Sequence, residues 1–397
     1  MLMKKETLQT ITASATLIGC IIGAGVLTIP YALSKAGFIT GMVNLLVLGI
    51  AVLFLNLYVA EMVAKSKQKK QLTGYAKTYL GENGERLMVL TMILGVYGAL
   101  TAYIFGGGKS ITALLGMQNS FIQLFGFHIS MDISFGILFF IFCSALIFLG
   151  IKGVAKSELI MTLFIVVIMI GISLVAFTGF NPQNVAVFHP SEIFKPYGVI
   201  LFALAGAIAI PEVSEELKSK KNLKKAIIIG TLIPIFLYFI FPFSVIGLCG
   251  NETSEIAVSC LSNKFGFSML VFGNLFAIFA MATSFLALGL GLKEMYNYDY
   301  KMNNSKSWGL TCLIPLGIFL LLSLFAGHDK FFRIISLTGG IAMTLEGILI
   351  VIMFRKYISK EDRKSGGIIN NKIISALIIL IFLAGMIYTA LNFLGIV

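Results

Sequence analysis

The sequence predicts an all-α integral membrane protein with eleven transmembrane helices, and two observations support this fold class. Hydrophobic residues make up 58% of the 397 residues and charged residues only 12%, with a mean hydropathy of +0.96, whereas a soluble domain carries about twice that charged fraction. The apolar residues also fall in runs of roughly 20, the length that a helix needs to cross a bilayer core of ~30 Å. The predicted spans are 8–36, 39–64, 86–108, 133–151, 157–179, 196–217, 224–249, 267–292, 307–327, 331–354 and 372–396.

The positions of the basic residues predict how these spans are oriented. With the N-terminus in the cytoplasm, 24 of the 30 lysines and arginines lie in cytoplasmic segments and 6 in outer segments, which agrees with the positive-inside tendency. We therefore expect a multi-pass protein of the plasma membrane with its C-terminus outside. The net charge of +12 does not indicate nucleic-acid binding, because the basic residues lie in short clusters between apolar runs. The partner that this pattern predicts is the lipid bilayer.

Two of the predicted spans contain residues that interrupt a helix. In IIGAGVLTIPYALSKAG (21–37), Gly23 and Gly25 precede Pro30; glycine weakens a helix and proline lacks the N–H donor. The sixth span, LFALAGAIAIPEVSEEL (201–217), also places a Gly-Ala pair before a proline. One interruption alone could be a kink or close packing through small residues. Interruptions at matching places in two sets of five spans instead predict the central site of a transporter.

The chemistry of such interruptions predicts binding of a zwitterion. Unwound backbone frees N–H groups that favour a carboxylate, and freed carbonyls favour an ammonium or a metal cation. An amino acid carries both charges, and the predicted membrane interior is nearly free of ionisable side chains. The exception is Glu346, about two turns into the tenth span from its cytoplasmic end, which is either a proton or gate residue or a carboxyl hydrogen-bonded inside the bundle.

Four strings carry a resemblance to a known family. They are GCIIGAGVLTIPYALSKAGF (19–38), TAYIFGGGKSI (101–111), FALAGAIAIPE (202–212) and ATSFLALGLGLKEMYN (282–297). The chain resembles amino-acid permeases of the amino acid–polyamine–organocation superfamily, nearest the amino acid/auxin permeases and the bacterial tyrosine and tryptophan permeases. The resemblance implies a LeuT-type fold of two inverted five-helix repeats in one domain, 1–397. The expected repeats are 8–179 and 196–354, with an extra C-terminal helix at 372–396.

The resemblance also implies a substrate site at the two interruptions. The substrate carboxylate would lie against the backbone of Ile22, Gly23, Ala24 and Gly25. The ammonium would face carbonyls near Ala203, Ala205 and Gly206. The substrate side chain would point toward Tyr97, Tyr103 and Phe202. The alternative for each of these residues is that its ring only packs against other helices.

The resemblance leaves the coupling ion open between Na⁺ and H⁺. The sodium site of the family would use the carbonyls of Gly19, Ile22 and Ala280 with the hydroxyls of Thr283 and Ser284. Those hydroxyls could instead bond to carbonyls of their own helix. Proton-driven relatives carry a lysine in the fifth helix, which this chain lacks, and sodium-driven relatives often carry an asparagine near the place of Gly19. If protons drive transport, Glu346 is the first candidate.

The function expected from these observations is secondary active transport of a neutral, aromatic or hydrophobic amino acid without any other cofactor. An amino-acid sensor without net transport and a carrier of another solute, such as a nucleobase, remain the alternatives. No Asp pair, His cluster or Ser–Lys arrangement indicates an enzyme. Oligomeric state is left open, as is a disulfide between Cys249 and Cys260, which flank one polar loop.

Overall fold

The computed structural model describes residues 2–66, 69–118, 120–124, 127–149, 154–217, 219–324, 330–360 and 368–396. The helices are α1 (Leu2–Ile21), α2 (Gly25–Ala36), α3 (Phe38–Val63), α4 (Leu72–Leu114), α5 (Met131–Leu149), α6 (Val154–Ala176), α7 (Tyr197–Leu204), α8 (Ile210–Glu215), α9 (Lys220–Cys249), α10 (Val258–Phe265), α11 (Phe267–Glu294), α12 (Asn304–Leu324), α13 (Lys330–Leu337), α14 (Thr344–Lys360) and α15 (Lys372–Phe393). Strands β1 (Phe121–Leu124) and β2 (Phe127–Ser130) form an antiparallel hairpin.

The helical bundle confirms the predicted fold class. Within the described residues, ten helical segments are long and apolar enough to cross a membrane, and a bent pair adds an eleventh. The bent pair joins Glu6–Ile21 to Gly25–Ala36 at an angle of 52° and corresponds to the first predicted span. The hairpin of β1 and β2 was not predicted, and it lies in the connection between α4 and α5.

The third predicted span, 86–108, is part of a longer helix. Helix α4 begins at Leu72 and changes direction at Gly81, whose φ of 78° and ψ of −167° are not helical. A positive φ costs glycine nothing, because it has no Cβ. The segment before Gly81 carries Lys77 and several polar residues, so a search for apolar runs does not find it.

The tenth predicted span, 331–354, is interrupted by a π-helical turn. Thr338–Met343 forms this turn between α13 and α14. A Cβ at position 339 would clash with the carbonyl oxygen of Gly198 and lie 2.7 Å from the backbone nitrogen of Phe202. Glycine at 339 therefore allows the tenth span to contact α7 backbone to backbone. Such π turns occur frequently at functional sites.

The two faces of the bundle differ in charge. We call the face that carries the N-terminus and the segments 64–86, 218–225 and 355–372 the basic face. On the opposite face, α10 is joined to the end of α9 by a disulfide between Cys249 and Cys260. The structure thus answers the question that the sequence left open for this cysteine pair.

Candidate functional site

The first helix break separates α1 from α2. The N–H of Ile22 donates to the carbonyl of Ile18 at 2.8 Å, and the N–H of Gly23 donates to the carbonyl of Ile21 at 2.9 Å. The N–H of Ala24 donates to no other described residue. The N–H of Gly25 has no acceptor within α2, because it belongs to the first residue of that helix. The break therefore presents N–H groups at the N-terminus of a half-helix.

The second helix break separates α7 from α8. Ala205 is extended (φ −66°, ψ 124°) and Gly206 has φ −154° and ψ 0°, before a 3₁₀ turn over Ala207–Ala209. Pro211 stands in the first turn of α8, where its missing N–H is not needed. The last carbonyls of α7 accept no hydrogen bond from N–H groups of their own helix. This break therefore presents carbonyl oxygens.

The two breaks lie against each other. A Cβ at position 25 would clash with the side chain of Ala203 and lie 2.5 Å from the Cα of Ala203. A Cβ at position 206 would lie 2.7 Å from Cγ1 of Ile21. The N–H end of α2 and the carbonyl end of α7 thus meet in one place, and their partial charges are opposite.

A tyrosine that the sequence analysis did not single out joins the two breaks. The hydroxyl of Tyr238, on α9, lies 2.8 Å from the carbonyl oxygen of Ile21 and 3.0 Å from that of Ala203 and donates to them. Its side chain is fully buried. A tyrosine within an apolar run is usually a packing residue, so nothing in the sequence indicated that Tyr238 bonds to both breaks.

Side chains from α4 and α11 contact the first break. A Cβ at position 23 would lie 2.5 Å from Oγ of Ser284 and 2.9 Å from the hydroxyl oxygen of Tyr103. The ring of Tyr103 packs edge-on against that of Phe202, with centroids 6.1 Å apart. These two of the three predicted aromatic side chains therefore lie together beside the breaks.

The third predicted aromatic residue, Tyr97, lies elsewhere. It precedes Tyr103 by more than one helical turn on α4, toward the basic face. Its hydroxyl donates to the carbonyl of Leu310 at 2.8 Å and lies 3.3 Å from the hydroxyl of Tyr296. Tyr296 lies in the π-helical turn Met295–Asp299 after α11, and Leu310 lies in α12, so the structure does not bring Tyr97 to the breaks.

The two hydroxyls predicted for a cation site have different partners. Oγ of Ser284 donates to the carbonyls of Gly19 and Cys20, both at 3.1 Å, and so joins α11 to the end of α1. Oγ1 of Thr283 donates to its own helix, to the carbonyls of Phe279 at 3.1 Å and Ala280 at 3.0 Å. The carbonyls of Gly19 and Ala280 thus already accept hydroxyl hydrogens.

The fifth span places a further hydroxyl beside this cluster. A Cβ at Gly19 would lie 2.8 Å from Oγ1 of Thr162, which donates to the carbonyl of Ala15 at 3.2 Å. Ile22 lies in the break itself, next to Gly23. Gly19, Ile22 and Ser284 are therefore neighbours, whereas Thr162 was not predicted from the sequence.

Glu346 is not part of the breaks. It lies in the first turn of α14, directly after the π turn, and it is partly buried. Its carboxylate forms no hydrogen bond or ion pair with another described residue. Ala342 and Met343 lie within 4.0 Å of a Cβ at Gly95 of α4, and a residue three or four positions later shares their face of the helix. Glu346 is thus placed toward α4.

Polar contacts close the bundle between the breaks and the basic face. Oγ1 of Thr16 donates to Glu216 at 3.2 Å, and Lys69 forms an ion pair with Glu215. The hydrogen bond that Lys69 donates to Glu215 raises the pKa of Lys69 above its ordinary value. These contacts hold α1 and the segment before α4 against the end of α8.

A second set of contacts on this face involves the end of the eighth span. Asp299 accepts the N–H of Gly74 at 2.9 Å and the hydroxyl of Thr73, in the first turn of α4. The side chain of Gln71 donates to Glu294 at 3.3 Å. A carboxylate that accepts N–H groups at a helix N-terminus stabilises that helix. No pattern in the sequence indicated this contact, because its partners are more than 200 residues apart.

Two opposed helix breaks inside an apolar bundle of about eleven spans define the class of LeuT-type secondary transporters. The fold is similar to that of MhsT in a crystal structure with L-phenylalanine, with a TM-score of 0.72, 15% identity and 98% of both chains covered. The chain belongs to the tryptophan/tyrosine permease family, whose pattern it matches over residues 6–389. It is therefore an amino-acid permease of the membrane and not an enzyme, as the resemblance implied.

Two relatives match most of the chain. Glutamine transporter 2 of Aliivibrio fischeri is 23% identical over 360 residues, which cover 87% of this chain and 89% of that protein. Tyrosine-specific transport system 1 of Haemophilus influenzae is 25% identical over 335 residues, which cover 79% of this chain and 80% of that protein.

Proposed function

We propose that this permease moves a neutral amino acid across the plasma membrane by alternating access, coupled to Na⁺ or H⁺. The observation that carries the proposal is the meeting of the N–H end of α2 with the carbonyl end of α7. In this proposal the carboxylate binds at Ile22, Gly23, Ala24 and Gly25, and the ammonium binds at Ala203, Ala205 and Gly206. Tyr103 and Phe202 line the side-chain end.

The absence of charged side chains at the breaks supports a neutral substrate. Among the described residues, those that border Gly23, Gly25, Gly206 and the two break carbonyls are apolar or carry only hydroxyls. The glutamine and tyrosine named for the two relatives are also uncharged amino acids. A charged substrate would leave one charge unpaired in a buried site, which is costly.

Alternating access follows if the two five-helix units move against each other. We propose 8–179 and 196–354 as these units, with 372–396 outside them. Substrate at the interface of the units would join the two breaks, as the Tyr238 hydroxyl already does. Opening toward the basic face would then require separation of the Thr16–Glu216 and Lys69–Glu215 contacts.

We propose that the basic face is cytoplasmic. The 24-to-6 division of basic residues supports this orientation, as does the Cys249–Cys260 disulfide on the opposite face, since disulfides form in oxidising compartments. A cysteine placed within 183–189 should react with an impermeant thiol reagent on intact cells, and one within 66–84 or 356–368 should not. The three remaining cysteines are buried, so background reaction should be low. Reaction in the latter two segments would reverse the orientation.

The geometry of the site is compatible with two coupling ions, Na⁺ and H⁺. For sodium, a cation beside Gly23 would be bound by the hydroxyl oxygens of Ser284 and Thr283. The carbonyl oxygens of Gly19, Ile22 and Ala280 would complete the site, and Ser284 would give up its present hydrogen bonds to Gly19 and Cys20. For protons, Glu346 is the candidate carrier. Ion binding next to the first break would order that break for substrate, and coupling between two such sites is typically 5- to 150-fold in affinity.

Uptake into sealed vesicles under independently imposed sodium and pH gradients tests substrate class and coupling together. We expect a neutral amino acid to be taken up best and one of the two gradients to drive it. With sodium, the Thr283→Ala/Ser284→Ala double variant should lose the response; with protons, Glu346→Gln should lose it. Preference for arginine or glutamate would contradict the neutral site. Binding without any uptake would favour a sensor, and uptake indifferent to both gradients would exclude symport.

A further inference from the structure

A cleft opens on the face opposite the basic face, between α2, α7, α13 and α15. It consists of two adjoining cavities of about 280 and 490 Å³. Both are lined by Tyr31, Phe332, Ser336, Thr389 and Asn392. The cleft is distinct from the breaks, because none of the described residues that line it is a predicted substrate-site residue.

The cleft is positively charged. Lys35 and Lys195 line one cavity and Arg333 lines the other, and no Asp or Glu among the described residues lines either. Nζ of Lys35 lies 5.2 Å from the ring centroid of Tyr31, and Arg333 is exposed without a hydrogen bond or ion pair to another described residue. Among the described residues, only Lys195 of these three cations has an acidic partner, Glu192 at 3.2 Å outside the cleft.

Other cations on the same face are paired. Lys109 lies 3.6 Å from Glu255, and Lys264 lies 4.0 Å from Glu252. Among the described residues of this face, the unpaired positive charge therefore lies at the cleft, on Lys35 and Arg333. A cleft of this kind attracts an anion.

The position of the cleft indicates where that anion comes from. Helices α2 and α15 end there, and α7 and α13 begin there, so the cleft lies at the level of the membrane–water interface. Phe393 at the end of α15 lines the larger cavity and is 66% exposed, and the adjacent Leu394 is 69% exposed. Exposed apolar side chains at the end of a spanning helix contact acyl chains.

We propose that this cleft binds the head group of an anionic phospholipid. The phosphate would lie between Lys35 and Arg333, hydroxyl and amide groups of the cleft would take the remaining oxygens, and the acyl chains would pass along Phe393. Basic pockets between membrane helices bind anionic lipid head groups in this way. This site is independent of the transported substrate.

The site would also act on the outer closure of the bundle. The rings of Tyr31 and Phe332 pack edge-on with centroids 5.1 Å apart, and they connect α2 to α13. A lipid phosphate between Lys35 of α2 and Arg333 of α13 would add a second connection between these helices. Anionic lipid should therefore stabilise the arrangement in which this side is closed.

The test measures lipid binding to the purified full chain in nanodiscs of phosphatidylcholine, titrated with phosphatidylglycerol. We expect phosphatidylglycerol to raise the midpoint of thermal unfolding and to stay bound in native mass spectrometry. Lys35→Gln and Arg333→Gln should each weaken the apparent lipid affinity about fivefold, since each cation near an anionic lipid contributes that much. The matched controls are Lys109→Gln and Lys264→Gln, each of which removes one positive charge from the same face.

Three outcomes would overturn the proposal. An equal loss of lipid affinity in the cleft variants and in the controls would mean that lipid is attracted to the surface in general. No loss of lipid affinity in any variant would mean that the cleft holds no lipid. Stabilisation of the wild type by inorganic phosphate or glycerol phosphate to the same extent as by phosphatidylglycerol would assign the cleft to a soluble anion. Unfolding midpoints in phosphatidylcholine alone verify that each variant is folded.

Discussion

Gly25→Leu should abolish both uptake and the stabilisation of the protein by its amino acid. The position has no space for a side chain, because a Cβ there would already lie 2.5 Å from the Cα of Ala203. The larger side chain would separate the two breaks and cover the N–H groups at the start of α2. Even Gly25→Ala should lower uptake strongly, since the contact it would make is with backbone. Uptake of the labelled amino acid and its effect on the unfolding midpoint measure both results.

The control for Gly25→Leu is Gly317→Leu, because no atom lies within 4 Å of a Cβ at position 317 of α12. Both variants place leucine on a predicted span, so only the first should lose transport. Overpacking typically costs 1–3 kcal/mol, and the unfolding midpoint without substrate shows whether the Gly25 variant still folds. A folded Gly25→Leu protein that transports at the wild-type rate would contradict the proposed carboxylate site.

Tyr238→Phe should reduce transport while the bundle stays assembled. The substitution removes only the hydroxyl, and it leaves the carbonyls of Ile21 and Ala203 without their shared donor. A buried polar group without a partner costs about 1–3 kcal/mol, and each 1.4 kcal/mol is a factor of ten. We expect uptake per folded molecule to fall about 10- to 100-fold, because the two breaks lose the contact that aligns them.

Tyr58→Phe is the matched control for Tyr238→Phe. Tyr58 is also a fully buried tyrosine, and its hydroxyl lies 3.3 Å from Oγ of Ser375, away from the breaks. It should lose stability without a comparable loss of uptake. Equal losses of uptake in the two variants would show that Tyr238 acts only through general packing.

The positions of the spans and of both breaks could be predicted from the chain alone. Both features depend on local sequence. The length of an apolar run is set by the thickness of the bilayer, and glycine and proline weaken the helical turn in which they lie. The resemblance to amino-acid permeases was carried by the same local strings, and the family match confirms it. The roles assigned to individual site residues stay predictions.

The features that were missed depend on contacts between distant residues. Nothing near Tyr238 in the sequence shows that its hydroxyl reaches carbonyls on two other spans, and the partners of Asp299 lie at the start of α4. Tyr97 and Tyr103 look equivalent as aromatic residues on one helix. Only the packing of α4 against α11 and α12 separates the tyrosine beside the breaks from the one that donates to Leu310.

By itself, the sequence determined that the chain crosses a membrane as helices, because only internally hydrogen-bonded helices of sufficient apolar length are stable there. It also determined where two of those helices break, since glycine and proline weaken the helical turn in which they lie. The tertiary structure alone decided that the two breaks face each other with opposite partial charges. It also decided that Ser284 reaches α1 while the adjacent Thr283 bonds to its own helix, because adjacent residues on a helix point about 100° apart and only the position of the neighbouring helix selects between them.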